Sequence, residues 1–236
     1  MRRRALACAA AVVLAAAAAA LAAPAGAKVR QMVVFRSGKA VTKKVSTRAV
    51  RVRVGRKRCA VARGTALAAL VRSHPGRIGL LDFGSCSRRA RDGAGLFVRS
   101  IRRDRNKGRD GWVYKVGHKA ATAGAADPSG PFGTGRRLRS GQRVVWFYCR
   151  LRSRGCQRSL SIRVRAEPGA LTVKVVGYDD LGRGVPVEGA TVKAGATAAL
   201  TAADGRARLE LPAGRYRVYA EKEGLVRSFW ERAEVP

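Results

Sequence analysis

The chain has 236 residues, with 49 Lys and Arg against 15 Asp and Glu, which gives a formal net charge of +34. That length allows one large domain or two small ones, and the composition excludes a collagen, an acidic disordered chain and a long coiled coil. Only two histidines are present, His74 and His118, which argues against most hydrolases. Neither histidine has a carboxylate or cysteine at motif spacing, and no phosphate-binding loop, dinucleotide fingerprint or zinc-protease motif occurs. We therefore expect a protein that is not an enzyme and holds no cofactor or metal.

The N-terminus carries the pattern of a secretory signal peptide. Arg2, Arg3 and Arg4 precede an apolar stretch over residues 5–23, and small residues follow up to Ala27. A basic start, a short apolar region and a small-x-small ending are typical of such peptides. We expect cleavage after Ala27, with an uncleaved membrane anchor as the alternative and no membrane span in the mature chain. The protein is therefore predicted to be secreted, with association to the cell surface as a further expectation.

Alternating apolar and polar residues predict strands in the part of the chain that follows. Val50, Val52 and Val54 alternate with arginines, and this period of two is typical of strands with one buried face. Strands are expected at residues 31–35, 50–54, 144–149 and 160–164.

One segment departs from this period and predicts a helix. Residues 65–72 (TALAALVR) place Leu67, Leu70 and Val71 on one face. Thr65 can cap its N-terminus, and His74-Pro75-Gly76 is a stop signal. Strands around one helix predict an α+β first domain.

Four cysteines remain after residue 27, an even number that suits two disulfides in an exported chain. Cys149 and Cys156 enclose six residues, and a turn there can bring them to bridging distance. This pairing leaves Cys59 with Cys86. A four-cysteine zinc site needs two close pairs, and neither pair is close enough, so disulfides are favoured.

Charge divides the mature chain into two unequal parts. Residues 28–166 hold 36 Lys and Arg and 5 Asp and Glu, whereas residues 167–236 hold 10 of each. A loop-forming sequence, 167–169 (EPG), lies at the break. We therefore predict two domains, 28–166 and 167–236, of which only the first is strongly basic.

The second part predicts short strands only, separated by Gly- and Pro-containing turns, as in a β-sandwich. Three of its stretches carry a family pattern: residues 185–192 (VPVEGATV), 201–207 (TAADGRA) and 211–218 (LPAGRYRV). They resemble the carboxypeptidase regulatory-like family, which has a transthyretin-like fold. Asp204-Gly205 suits a tight hairpin with a positive φ at the glycine. The resemblance implies a structural or binding accessory module, sometimes grouped with carbohydrate-binding-like folds, and no catalytic residue.

The first part carries a second pattern, at residues 64–70 (GTALAAL), 111–116 (GWVYKV) and 138–148 (LRSGQRVVWFY). These stretches resemble bacterial relatives of the transcobalamin C-terminal domain, which have a β-grasp-like fold. The family's usual Asn-Gly and Gly-Asp are replaced here by Gly117-His118 and Gly141-Gln142. Eukaryotic members hold cobalamin against a large helical domain that this chain lacks, so the resemblance implies the fold and no cobalamin site. The expected fold class is an α+β β-grasp-like domain followed by an all-β transthyretin-like or Ig-like sandwich.

Two aromatic pairs are candidate binding residues. Trp112 and Tyr114 lie two residues apart on one predicted strand, as do Trp146 and Tyr148 on another, so each pair shares a face. They either form a platform for a sugar or another flat ligand, or build the core of a small domain. The second interpretation is favoured because aromatic residues dominate small cores. Trp230, near the C-terminus, is interpreted as edge packing.

Basic clusters are the other candidate site. Those singled out for binding are Arg102, Arg103, Arg105, Arg136, Arg137 and Arg139, and further clusters lie at 51–58 and 150–158. Such clusters can be a solvated surface in an arginine-rich bacterial proteome. Self-repulsion at this density destabilises a compact domain, however, and an anionic partner would relieve it. Both interpretations remain open.

The favoured hypothesis is a secreted, non-enzymatic binding or cell-surface accessory protein. Its expected partner is an anionic polymer or surface, such as a wall polymer, an anionic lipid or nucleic acid, with a glycan as a further option. The alternative is an extracellular carrier of a small molecule or cofactor that uses an aromatic cleft between the domains. A hydrolase with its site in the arginine-rich loops is the third hypothesis.

Overall fold

The computed structural model describes residues 26–84, 86, 88–89, 94–153 and 155–236. Residues 1–25 of the predicted signal peptide therefore lie outside the described residues. The first elements are β1 (Lys28–Val34), β2 (Ala40–Ser46), β3 (Val50–Val54), β4 (Lys57–Val61), α1 (Ala66–Ser73), β5 (Ile78–Asp82), β6 (Leu96–Ile101), β7 (Asp104–Arg105), β8 (Gly111–Val116), β9 (Lys119–Ala120) and β10 (Arg143–Cys149). The remaining elements are β11 (Ser159–Glu167), β12 (Ala170–Tyr178), β13 (Gly184–Pro186), β14 (Thr191–Ala194), β15 (Thr197–Leu200), β16 (Arg206–Glu210), β17 (Gly214–Glu221) and β18 (Glu231–Val235).

A five-stranded mixed sheet forms the centre of the first part. Its order is β2-β1-β10-β8-β9, and β1 runs parallel to β10 while the other neighbours are antiparallel. The parallel ladder places Arg30 beside Arg143. Both faces of the sheet are covered, because Trp146 on one face and Phe147 on the other are each 1% exposed. Burial on both faces explains why β10 is a continuous apolar run.

Helix α1 forms where the sequence predicts it. The Thr65 side chain caps its N-terminus by accepting a hydrogen bond from the Ala68 N–H at 3.2 Å. Its end is at His74, which takes a left-handed φ of 48° before Pro75. Leu67 and Leu70 are fully buried beneath the sheet face formed by β1 and β2. The buried Gln31 of β1 donates from Nε2 to Ser73 Oγ at 2.6 Å and ties the last turn to the sheet.

Two smaller sheets come before and after the helix in the chain. The β3–β4 hairpin exposes Arg51 and Arg53 on one face, while Val52 on the other packs against the core, as the alternation predicts. Strands β5, β6 and β7 form the second sheet, in which buried Leu96 and Val98 alternate with outward-facing residues. The structure therefore confirms a β-rich chain with one short helix at the expected place.

Both predicted disulfides are present. Cys59 of β4 is bonded to Cys86 after β5, and Cys149 at the end of β10 is bonded to Cys156. The first joins the hairpin to the adjacent sheet, and the second closes the loop that leads to β11.

The second part consists of two facing sheets. In one, β12 pairs with β11 on one side and with β13 and β16 on the other, and the second sheet has the order β15-β14-β17-β18. Residues such as Val173, Val192 and Val218 fill the space between the two sheets and are fully buried. Alternate residues of each strand thus build one core.

The Asp204-Gly205 turn differs from the tight hairpin that the sequence predicts. Gly205 takes the expected positive φ, 77°, and an added Cβ would lie 2.6 Å from the Val175 carbonyl oxygen. The strands on its two sides, however, do not pair with each other, because β15 pairs with β14 and β16 pairs with β12. The turn therefore connects the two sheets and is not a hairpin. Hairpin and crossover turns use the same residues, so the sequence does not distinguish them.

Strand β11 lies across the predicted domain boundary. It precedes residue 167, yet it pairs with β12 from Ser159 to Glu167, and its Leu160 and Ile162 belong to the second core. The division at 166/167 stays a prediction, and strand pairing favours a division before Ser159.

A third buried cluster joins the two parts. Met32 and Phe147, on the sheet face opposite α1, pack against Val226 and Phe229 from the segment before β18. Glu231 adds ion pairs to Arg30, at 3.0 Å, and Arg143, at 2.6 Å. Phe229 is thus packing between the two parts.

Candidate functional site

The four candidate aromatic side chains form one cluster on the α1 side of the central sheet. Register places Trp146 opposite Tyr114 and Tyr148 opposite Trp112. The Tyr114 and Trp146 rings are stacked with centroids 4.9 Å apart, and Trp112 meets Tyr148 edge to face at 6.0 Å. All four are buried. Their burial agrees with the favoured interpretation of these pairs as core residues, and the alternative, a platform for a flat ligand, stays a prediction.

Three of the four polar ring atoms have partners. Trp112 Nε1 donates to the Asp104 carbonyl oxygen at 2.8 Å, and the Tyr148 hydroxyl donates to that of Arg105 at 2.9 Å. The Tyr114 hydroxyl donates to the Ala123 carbonyl oxygen at 3.0 Å, and burial raises the pKa of Tyr114 above its usual range. Among the described residues, Trp146 Nε1 has no hydrogen-bond partner although Trp146 is 1% exposed.

A cavity of about 310 Å³ opens over this cluster. The aromatic rings of Trp112, Tyr114 and Trp146 contribute to its lining. Small and aliphatic residues from β6 and from the loop after β9 complete most of the lining, and Asp180 reaches it from the second part of the chain. The three rings can be predicted from the sequence and the rest of the lining cannot, because these residues come from segments that only tertiary contacts bring together.

Two exposed phenylalanines also line the cavity. Phe83 is 73% exposed and Phe97 is 44% exposed, and their rings meet edge to face at 6.1 Å. The alternation in β6, where Phe97 lies between buried Leu96 and Val98, would have placed this ring on the outer face.

A buried ion pair connects this region to the second part. Lys115 of β8 is fully buried, and its Nζ lies 3.1 Å from Asp180 Oδ1. The same ammonium donates to the carbonyl oxygens of Tyr178, at 3.2 Å, and Asp179, at 3.0 Å. Burial lowers the pKa of Lys115, and the Asp180 carboxylate opposes that change. Asp180 Oδ2 also accepts from the Cys156 N–H at 2.9 Å.

His118 lies beside this contact. Its ring stacks on Tyr178 with centroids 3.7 Å apart and planes 10° from parallel. Burial, followed by the positive charges of Arg143, Lys115 and Arg163, lowers the pKa of His118. The histidine therefore contributes a packing contact between the two parts in its neutral form.

We expect the free energy of unfolding to fall as the pH drops below about 6.5. Because the pKa of His118 is lowered in the folded chain, the unfolded chain takes up the proton first. Stability is thus lost as the pH falls from the unfolded pKa towards the lower folded pKa. Urea unfolding at about pH 7.5 and about pH 5 measures this loss. His118→Gln cannot titrate and should lose less stability over this range; an equal loss in both proteins would contradict the assignment.

The predicted arginine clusters lie at opposite ends of α1. A Cβ added at Gly64, before the helix, would lie 2.8 Å from Arg137 Cβ, and one added at Gly76, after it, would lie 2.8 Å from Arg102 Cγ. Because an eight-residue helix is about 12 Å long, the two clusters are separate surfaces.

Two of the candidate arginines are held by the protein itself. Arg102 donates from Nε to the Pro75 carbonyl oxygen at 2.6 Å, and its guanidinium lies 4.7 Å from the centre of the Phe35 ring. Arg137 donates to the Pro128 carbonyl oxygen at 2.8 Å. The other four are exposed and have no ion pair to any described residue; they are Arg103, Arg105, Arg136 and Arg139. Arg154, in the cluster at 150–158, lies outside the described residues.

A second cavity, of about 400 Å³, is lined by Arg51, Arg58 and Arg88 around Ala60. Pairing of β3 with β4 places Arg51 opposite Ala60 and Arg53 opposite Arg58, so these side chains share the outer face of the hairpin. The three lining arginines are exposed and make no ion pair within the described part of the chain. Because no described carboxylate lines it, the depression formed by these like charges is electropositive.

Trp230 lies among arginines. The guanidinium carbons of Arg30, Arg217 and Arg232 lie 5.3, 4.9 and 5.7 Å from the centre of the Trp230 ring. Arg30 comes from the first part and the other two come from the second, so this contact also holds the parts together, in agreement with its interpretation as packing.

Within the described ranges, no three His, Cys, Asp or Glu side chains are grouped as metal ligands. None of the described helical structure is long and apolar enough to span a bilayer. No protein-family model, no curated protein and no solved structure matches this chain.

Proposed function

We propose that this chain is a secreted, non-enzymatic binding or cell-surface accessory protein whose basic part contacts an anionic polymer or surface. Residues 28–166 carry 36 Lys and Arg against 5 Asp and Glu. Repulsion at that density destabilises the folded state, and a polyanion that neutralises several arginines at once would relieve it.

The depression lined by Arg51, Arg58 and Arg88 carries this proposal. A guanidinium group presents paired N–H donors that match the oxygens of a phosphate or carboxylate group. The three guanidinium groups are accessible, and no described carboxylate pairs with them. The exposed Arg103 and Arg105 would add contacts farther along a polymer.

Export and the finer fold assignment belong to the same proposal. Two disulfides favour an oxidising compartment. A mixed sheet with a parallel central pair and one helix against its face supports a β-grasp-like first domain. Two facing antiparallel sheets support a transthyretin-like second domain.

Binding of the mature chain, residues 28–236, to duplex DNA tests the electrostatic part of the proposal. Each neutralised phosphate releases condensed counterions, so affinity must fall steeply as salt rises. With about six contacts, the slope of log affinity against log salt concentration should be about −5. Parallel titrations with polyglycerol phosphate and with vesicles containing anionic lipid show which source of phosphate binds best at about 0.15 M salt.

The depression is tested by Arg51→Gln, Arg58→Gln and Arg88→Gln together. This variant should bind all the polyanions more weakly and should flatten the salt slope by up to about 3. The matched control removes the same charge from the neutral part, at Arg206, Arg208 and Arg215, which are exposed. Equal weakening by both variants, or dissociation constants above about 100 μM for every polyanion at that salt, would reject the proposal.

A further inference from the structure

The cavity over the aromatic cluster is bordered by two exposed aromatic side chains. Phe83 and Phe97 are 73% and 44% exposed. Their edge-to-face contact is with each other, and Phe83 leaves most of its surface in water while Phe97 leaves nearly half. Exposed aromatic side chains that border a cavity are typical of sites that bind an apolar group.

A hydrogen-bond donor without a partner lies beneath the lining of this cavity. Trp146 is 1% exposed and lines the cavity, and its Nε1 is unpaired among the described residues. A buried N–H without an acceptor costs free energy, because it loses its water partner on folding. The other polar ring atoms here, Trp112 Nε1 and the Tyr114 hydroxyl, already donate to carbonyl oxygens. A ligand with one hydrogen-bond acceptor would therefore give the remaining donor, Trp146 Nε1, a partner.

The electrostatics of the cavity favour a neutral ligand. Asp180 is the only charged residue in the described lining, and its two oxygens already meet Lys115 Nζ and the Cys156 N–H. An ammonium ligand would have to displace the buried Lys115. An anionic ligand would have to leave water for a lining of aromatic and aliphatic side chains.

We infer that this cavity binds a neutral, flat, largely apolar small molecule whose hydrogen-bond acceptor meets the indole N–H of Trp146. The volume of about 310 Å³ lies at the lower end of the range of about 300–1,000 Å³ found for ligand sites. Phe83 and Phe97 supply the accessible aromatic surface at the mouth, and the buried Tyr114 and Trp146 rings lie beneath it. This site shares no residue with the proposed polyanion surface.

Titration of the mature chain with prodan, a neutral naphthalene ketone whose emission shifts to the blue in apolar surroundings, tests the inference. Saturable binding of one molecule with a blue shift is expected. The affinity should change by less than about twofold between low and high salt, because no counterions are released. Saturation with unchanged affinity at high salt separates this site from the polyanion surface, so either proposal can fail without the other.

Indole N–H resonances locate the bound probe. The chain has three tryptophans, and the signal that is missing from Trp146→Phe identifies Trp146. Prodan should shift this signal downfield, as expected when an acceptor reaches the N–H, and should leave the Trp230 signal in place, because Trp230 lies among arginines outside the cavity lining. A Trp146 signal that does not move at saturation would overturn the inference.

The rim is tested by Phe83→Ser with Phe97→Ser. Phe83 is mostly exposed and Phe97 is nearly half exposed, so the variant should melt within a few degrees of the parent while prodan affinity falls by about tenfold or more. The matched control, Leu181→Ser with Leu200→Ser, removes side chains that are 65% and 67% exposed and lie elsewhere, and it should bind prodan as the parent does. Equal affinity in the two variants would contradict the site.

Discussion

Replacing Asp180 by alanine is expected to lower the free energy of unfolding by roughly 3–5 kcal/mol. The reason is that Lys115, which is fully buried, loses the carboxylate that forms its ion pair. The carbonyl oxygens of Tyr178 and Asp179 would still accept hydrogen bonds from the ammonium but would not neutralise it. Urea unfolding at neutral pH measures the change.

Three companion variants separate the ion pair from other roles of Asp180. Asp180→Asn keeps an acceptor for the Cys156 N–H and removes the charge, so it should still lose much of the stability. Lys115→Met removes the buried charge at similar volume and should cost far less than Asp180→Ala. In the Lys115→Met background, Asp180→Ala should then be nearly neutral. If it costs the same with and without Lys115, the ion pair is not the cause.

The loss in free energy of unfolding caused by Asp180→Ala should also become smaller as the pH rises. Burial lowers the pKa of Lys115, and removing the carboxylate that opposes this change lowers it further. The unfolded chain then binds more protons than the folded chain up to the ordinary lysine pKa, near 10.4, so stability increases with pH over that window.

Removing the Cys59–Cys86 disulfide is the second large expected effect. Cys59→Ala with Cys86→Ala should cost about 3.6 kcal/mol, because the bridge closes a loop of 27 residues in the unfolded chain. The Cys149–Cys156 bridge spans 7 residues, and its removal should cost less, about 2.4 kcal/mol. Urea unfolding of the exported proteins, after peptide mapping without reductant has established the bridges, gives both values. A greater cost for the shorter loop would contradict this loop-entropy account.

Several elements of the fold could be predicted from the sequence because their signals are local. Thr65, the apolar positions of α1 and the stop at His74-Pro75-Gly76 lie within a dozen residues, and the observed helix has these bounds. The alternation in β3 and β11 identified strands for the same reason. The disulfides followed from parity and spacing, since only Cys149 and Cys156 are close in the chain.

Only part of the candidate site could be predicted from local patterns in the sequence. Trp112, Tyr114 and Trp146 stand out by their spacing, and their strands were predicted. That they meet Phe83, Phe97 and Asp180 depends on the pairing of β8 with β10 and on the packing of β6 against β8. Such contacts join segments tens of residues apart, and alternation along one strand carries no information about its partner.

The sequence by itself therefore determined the local elements, the cysteine pairing and the concentration of charge in residues 28–166. The tertiary structure alone decided that β11 pairs with β12, that the Asp204-Gly205 turn connects two sheets, and that Lys115 is buried against Asp180. Secondary-structure propensity and hydrophobic periodicity depend on residues that are neighbours in the chain. Strand partners and buried ion pairs depend instead on which distant parts of the chain pack together and exclude water. An outward-facing lysine and a lysine buried beneath the second part of the chain have the same local sequence pattern, and only packing distinguishes them.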